Sequence, residues 1–368
     1  MRRRPINGRR IVLVGRDACW ALAILIIVVA FALASPGAGA AATPPDANLL
    51  RTYQPVLIFH PNELFRPTKV QSYIDAAELE QFVGISPAEL PYDAYWRVVD
   101  SSRGPGELPQ PTPGTFYRLN ELPCQASATL AGEACYADAF ATGSGGPAVY
   151  GRVARTATRI VLQYWLFYYD NPLILPATPV GQFWQSHESD WEVVNVILGT
   201  DGEPLEAAYS QHCSGERRPW AEVAKSPRGS THPVAYVALG SHANYFEPGA
   251  GALGAVPINQ ACIPAPVRAV LPSLPFLQVV DQVVDGSPDG AEVGPPGNGL
   301  PAATIHRIEG TAWSSFGGSW GESEYFFTPI ALGPVPADTA VPIGLGPPSP
   351  ANQRQWNPEV VLGWPLVP

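Results

Sequence analysis

No Cys-x-x-Cys pair, no internal repeat and no series of helices alternating with strands occurs in these 368 residues. The first absence argues against a cysteine-ligated zinc site. The second excludes repeat architectures, and the third argues against a doubly wound α/β sheet. No local signature of a Ser-His-Asp hydrolase is read either. What is abundant is proline (42) and glycine (35), together with 46% hydrophobic and 10% aromatic residues. Disordered chains pair high Pro and Gly with few aromatics, so this composition describes a loop-rich folded protein.

The N-terminus reads as a targeting segment. Six arginines precede the apolar run Ala18–Ala34, and small residues at Ala38 and Ala40 follow it. That pattern predicts a signal peptide over 1–40, with an uncleaved signal anchor as the rival reading. Residues 41–52 read as a linker and 53–368 as a single domain. Residues 1–40 hold six arginines and one acid, so the rest carries 16 basic and 31 acidic residues, a formal charge of −15. Such a chain does not attract nucleic acid, and anionic membranes repel it. Contact with a membrane is expected only through an uncleaved anchor or a lipid head group. Beyond Cys19 four cysteines remain, an even number that suits two disulfides in a secreted or cell-envelope protein. Of three connectivities, sequence proximity favours Cys124 with Cys135 and Cys213 with Cys262.

Val70, Tyr73, Ile74, Ala77 and Val83 form one stripe, which predicts a helix over 70–84 ending at Gly84. Residues 85–147 are rich in Pro, Gly and Ser and show no period. Strands are expected in 53–67, 159–170, 190–198, 205–212, 232–242 and 304–310. Residues 159–170 are apolar on both faces, as a central strand would be. Short strands between turn signals predict an all-β class, a β-sandwich with long Pro/Gly-rich loops and a few short helices. The tryptophans of "WNPEVVLGWP" are placed to pack back on it.

The chemistry concentrates in "HESDWEVVNVIL", residues 187–198. On a strand opening at Asp190, alternate side chains share a face. Asp190 and Glu192 then point together, and Trp191 and Val193 point the other way. His187 falls in the turn before the strand, and Asp170 ends the preceding strand, a neighbour if sequential strands pair. These four make a partial shell for a divalent ion, calcium, magnesium or manganese rather than zinc. The plainer reading is a set of solvated acids at a strand entrance. A zincin is a poor fit, because Trp191 stands where the second histidine belongs. Glu188, His212, His242 and Tyr245 would border the same pocket, and His60 with Glu63 repeats the pattern in "IFHPNELF".

Several stretches taken in order resemble the vacuolar protein sorting-associated protein 62 family. They are "YQPVLIFHPNELFRPTKVQSYI", "QYWLFYYDN", "HESDWEVVNVIL", "YSQHCSGERRPW", "HPVAYVALGSHANYF" and "WSSFGGSWGE". More distantly, the central motif is similar to the H-R-H-D-W-E core of the necrosis- and ethylene-inducing protein family. Those are secreted β-sandwich cytolysins whose motif holds a divalent cation and engages sphingolipid head groups. The resemblance assigns the ligand positions to Asp170, His187, Asp190 and Glu192. Ser189 and Glu188 replace a histidine and a basic residue of that motif, which puts lytic activity in doubt. The combined expectation is an exported metal-binding β-sandwich that takes a glycan or lipid head group at an acidic pocket. Two rivals stand beside it. One is a metal-dependent hydrolase of phosphoesters or glycans, with Glu188 or His242 as general base. The other is an envelope protein with a purely structural ion.

Overall fold

The computed structural model describes residues 45–83, 96–100, 108–110, 112–121, 124, 130–143, 146–284, 292–297 and 300–368. The expected signal segment lies outside them. Among the described residues no helix is long and apolar enough to cross a membrane.

In chain order the elements begin with helix α1 (Asp46–Thr52), strand β1 (Val56–Phe59), helix α2 (Val70–Ala76) and strands β2 (Ala77–Phe82), β3 (Trp96–Asp100) and β4 (Tyr117–Glu121). Helix α3 (Leu130–Gly143) precedes five strands, β5 (Ala148–Arg155), β6 (Ile160–Ile174), β7 (Trp184–Leu198), β8 (Pro204–Gln211) and β9 (Ser214–Pro219). Then come β10 (Val234–Val237), β11 (Asn244–Tyr245), β12 (Ala255–Pro257), helix α4 (Ala265–Val270), β13 (Val280–Gln282), β14 (Glu292–Val293) and β15 (Thr304–Arg307). The chain closes with β16 (Ser319–Trp320), β17 (Glu324–Thr328), β18 (Thr339–Gly344) and helix α5 (Pro358–Leu362).

The class is all-β. The largest sheet runs β15–β5–β6–β7–β17–β18, and β8 with β9 extends it from β7. Two four-stranded sheets, β11–β10–β1–β14 and β16–β4–β2–β3, and the pair β12–β13 complete the set. Strands β6 and β7 each run for 15 residues, and both are buried along nearly their whole length. Their two-sided apolarity follows from cover on both faces. On one face Tyr168 stacks on His242, and Tyr209 stacks on Phe246 while its hydroxyl donates to the Val234 carbonyl. On the other, Phe167 and Trp191 pack against Tyr73, Trp313 and Trp320. Trp356 packs back on Trp165, and Trp364 is buried, so both C-terminal tryptophans seat as expected.

Three local expectations are corrected. The helix over 70–84 ends at Ala76, because Ala77 turns extended and Ala77–Phe82 pairs with β3 on one side and β4 on the other. Strand pairing on two edges outweighs the helical stripe, and Val83 is exposed. Residues 46–52, expected as linker, are helical and bury Leu49 and Leu50 in the main core. Helix α3 arises within the stretch that showed no period. Its sequence "LAGEACYADAFATG" carries small residues around Tyr136 and Phe140, too few large apolar positions for a visible stripe. Both disulfides form as sequence proximity favoured, Cys124–Cys135 and Cys213–Cys262, which fits an extracytoplasmic protein.

Candidate functional site: a pocket at a break in the central sheet

Strand β7 has β6 along one edge and two different partners along the other. Val194–Leu198 pairs with β8, and Trp184–Ser186 pairs with β17. Between them, no strand among the described residues pairs with 187–193 on that edge. Buried backbone groups need partners, and here polar side chains supply them. The Trp191 N–H donates to Asp190 Oδ1 at 2.8 Å and the Val193 N–H to Ser210 Oγ at 2.8 Å. His187 Nδ1 lies 2.7 Å from the Ser189 carbonyl oxygen. The strand begins at Trp184, so His187 sits inside it and not in a turn before it as expected, and the charged cluster fills a gap in the ladder.

A pocket of about 450 Å³ opens at this gap, with His187, Asp190, Glu192, His212 and Glu324 on its wall. Burial, and next the charge of Asp190, push Glu192 well above the usual carboxyl range, against a hydrogen bond from Ser210. Burial likewise raises Glu324, which Gln185 bonds and which faces His187. Burial opposes a charge on His212, yet Asp281 at 2.9 Å lifts its pKa above the ordinary imidazole value and is itself lowered. Ser241 and Tyr245 also donate to Asp281, each at 2.6 Å.

Behind the wall lies an ion-paired core. His242 is fully buried, with Nδ1 3.0 Å from Asp190 Oδ2 and Nε2 3.5 Å from Glu63 Oε1. Its ring stacks on Tyr168 with centroids 3.8 Å apart. Burial works against its charge, but Glu63 and Asp190 raise its pKa to about 9, and Glu63 is lowered in turn. Glu63 also accepts the N–H groups of Phe65 and Gly240, at 2.9 and 2.7 Å. Gly240, at φ +74, carries the turn against β6, where a Cβ would come within 2.1 Å of the Pro172 carbonyl oxygen.

Asp170 and Glu188 take the other face. They are a cross-strand pair, as are Tyr168 and Asp190, with no change of register between the two pairs. Yet Tyr168 and Asp190 meet His242, whereas the Glu188 carboxylate accepts the Tyr73 hydroxyl at 2.6 Å and the Glu322 N–H at 3.2 Å. Asp170, Glu188 and Glu322 together raise the pKa of the buried Tyr136, after burial itself. Between the pairs stands Ser189 with φ +58, a left-handed residue that breaks the two-residue alternation. His212 and His242 are also left-handed, each at φ 54, so three of the four non-glycine positive-φ residues described lie at this site. Such strained backbone gathers at functional sites.

Of the four expected ligands, His187, Asp190 and Glu192 reach one pocket and Asp170 does not. His212 joins them, while Glu188, His242 and Tyr245 lie outside its wall. Glu63, a minor candidate by sequence, pairs with His242. Glu324 was missed, because its place beside His187 depends on β17 pairing with β7. Among the described residues, no group of three or more His, Cys, Asp or Glu side chains is arranged to hold a metal ion. Residues 317–321 do spell Gly-x-Ser-x-Gly, which sequence reading overlooked. Ser319 there lies in β16, paired with Arg118 and bridged to Pro348, not on a strand-to-helix elbow.

No protein-family model matches the chain, so the expected kinship with the sorting-associated family is without support. No curated protein matches it either. Among solved structures it is similar to Necrosis and Ethylene inducing Protein 2 from the causal agent of cocoa's witches' broom disease. That match is 17% identical, covers 54% of this chain and 63% of the other, and has a TM-score of 0.23. It spans less than two thirds of that protein, and at this score it carries no argument about function.

Proposed function

We propose that this is an exported binding protein whose acidic pocket takes a glycan or lipid head group through a divalent cation. The observation that supports the reading is the gathering of three carboxyl groups and two imidazoles on the wall of one pocket of about 450 Å³. That is the size of a small-molecule site, and its donors are the oxygens and nitrogens that hard cations accept. Because the described residues form no cage, the ion would sit on one or two carboxylates, Asp190 foremost. Water and ligand oxygens would complete its shell, the mode magnesium favours. Binding would then need ion and ligand together. Less supports the hydrolase alternative, whose two candidate bases lie off the pocket wall, Glu188 bonded to Tyr73 and His242 held between Glu63 and Asp190.

The test is elemental analysis of the purified protein, followed by calorimetric titration with calcium, magnesium, manganese and zinc, alone and with phosphocholine or a hexose. The expected result is saturable binding of one ion, strengthened by the ligand and lost when Asp190 and Glu192 are both replaced by alanine. Binding that survives the double substitution, or none for any ion or ligand, would sink the proposal.

A further inference from the structure

The pocket does not end at its polar wall. Leu173, Gln185, His212 and Cys262 also line a second, narrow cleft of about 20 Å³, whose other walls include Ile258, Ile263, Val267 and Phe326. Val267 and Phe326 in turn line a third, half-open groove of about 70 Å³, whose other walls include Val270, Thr328, Leu332, Val341 and Ile343. The lining thus passes from carboxyls and imidazoles to mainly apolar side chains, with Gln185 and His212 still on the cleft and Thr328 on the groove, and residues are shared at each step. The apolar stretch belongs to a satellite core separate from the main one, set beneath the segment around α4. A satellite core can serve only to seat a loop. One that leaves cavities along its length and meets a polar pocket at one end has the form of a head-and-tail site. The width is informative too. At about 20 Å³ the cleft has room for about one water and none for a ring system, so an alkyl chain would enter it by parting the side chains of its walls.

We propose that the ligand is an amphiphile. Its polar head occupies the pocket walled by His187, Asp190 and Glu324, and a single unbranched alkyl chain follows Leu173, Val267 and Phe326 towards Ile343. The proposal rests on the reading of the pocket as a polar-ligand site. The Cys213–Cys262 disulfide stands at the junction, since Cys262 lines both the pocket and the cleft. It holds the wall between the head and tail compartments.

The test is calorimetric titration of the intact protein, with the divalent ion present, against phosphocholine and its hexyl, octyl and decyl esters below their micelle concentrations. Burial of each methylene predicts an affinity gain of about fourfold per carbon until the chain outruns the track. Val267→Phe, filling the cleft, and Ile343→Trp, closing its far end, should flatten that gain and leave phosphocholine binding unchanged. Thermal midpoints would check that both variants fold. Phosphocholine binding with no dependence on chain length overturns the alkyl track and leaves the pocket reading intact. A chain-length dependence that both folded variants retain also overturns the track. Failure of phosphocholine and of all three esters overturns the track, and overturns the pocket reading as well only if the ions and a hexose also fail to bind.

Discussion

Glu188 and Asp190 stand two residues apart on one strand, and the protein treats them in opposite ways. On the Asp190 face, carboxylates are paired with imidazoles, that of His242 buried and that of His212 half-buried. His242 lies between Glu63 and Asp190, and His212 rests on Asp281. On the Glu188 face, the described partners are a tyrosine hydroxyl and a backbone N–H. The first arrangement keeps charge in the interior by balancing it, and a pocket opens in front of it. The second fixes a carboxylate by hydrogen bonds within the packed aromatic layer of Tyr73, Phe167 and Trp320. An acidic motif can therefore be split by its own strand into one half beside a ligand pocket and one half that ties down packing.

The comparison is broken most directly at His242. Replacing it by glutamine removes the positive charge between two buried carboxylates. Breaking a buried ion pair at one partner costs about 3–5 kcal/mol. Denaturant unfolding of His242→Gln in the presence of chelator should show a loss of that order. A loss under 1 kcal/mol would mean that Glu63 and Asp190 do not depend on the imidazolium.

Proton linkage tests the same face without a substitution. The His242 pKa is about 9 in the folded protein against an ordinary value of 6.5. A group raised on folding contributes fully below its unfolded pKa and loses that contribution as pH rises through the folded one. The window therefore runs from about pH 6.5 to 9, and the loss across it is on the order of 3 kcal/mol. Glu63 is lowered, so its own contribution is present above its unfolded value and fades only in acid. Unfolding measured with chelator should weaken steadily through this window, and His242→Gln should lose most of that slope. An unchanged slope in the variant would assign the dependence elsewhere.

The Glu188 face offers the contrast at smaller scale. Tyr73→Phe keeps the ring and deletes the hydroxyl that donates to Glu188 Oε1. Leaving one lone pair of a buried carboxylate without its donor costs about 1–3 kcal/mol. The effect should fall below that of His242→Gln and leave binding at the pocket unchanged. If Tyr73→Phe instead abolished ion binding, Glu188 would have to act on the pocket side after all.

Much of this was legible in the residues. Alternation put Asp190 and Glu192 on one wall and Trp191 in the core, and the β-branched runs announced β6 and β7. The sharing of the motif between two faces was not legible, because it depends on one dihedral angle at Ser189, a residue with no strong left-handed preference. Nor was the gap between β8 and β17, since non-local pairing decides it and Glu324 enters only through that pairing. The helix-to-strand switch at Ala77 has the same cause. Its local pattern says helix, and two neighbouring strands overrule it.

Ser189 is thus where the comparison can be sharpened with the least disturbance. Its φ of +58 places it in a region that costs an ordinary residue about 1–2 kcal/mol. Its buried hydroxyl makes no hydrogen bond among the described residues. Ser189→Gly relieves the strain and deletes that hydroxyl, against the greater entropy of the unfolded chain, which costs about 0.5–1 kcal/mol. The net expectation is a gain of about 0.5–1 kcal/mol with ion binding intact. The sign decides the matter. In a regularly alternating strand the same glycine would weaken the protein by a similar amount, and Glu188 would then share the pocket face with Asp190. A stabilised Ser189→Gly variant supports the left-handed turn that parts the two acids, and a destabilised one removes it.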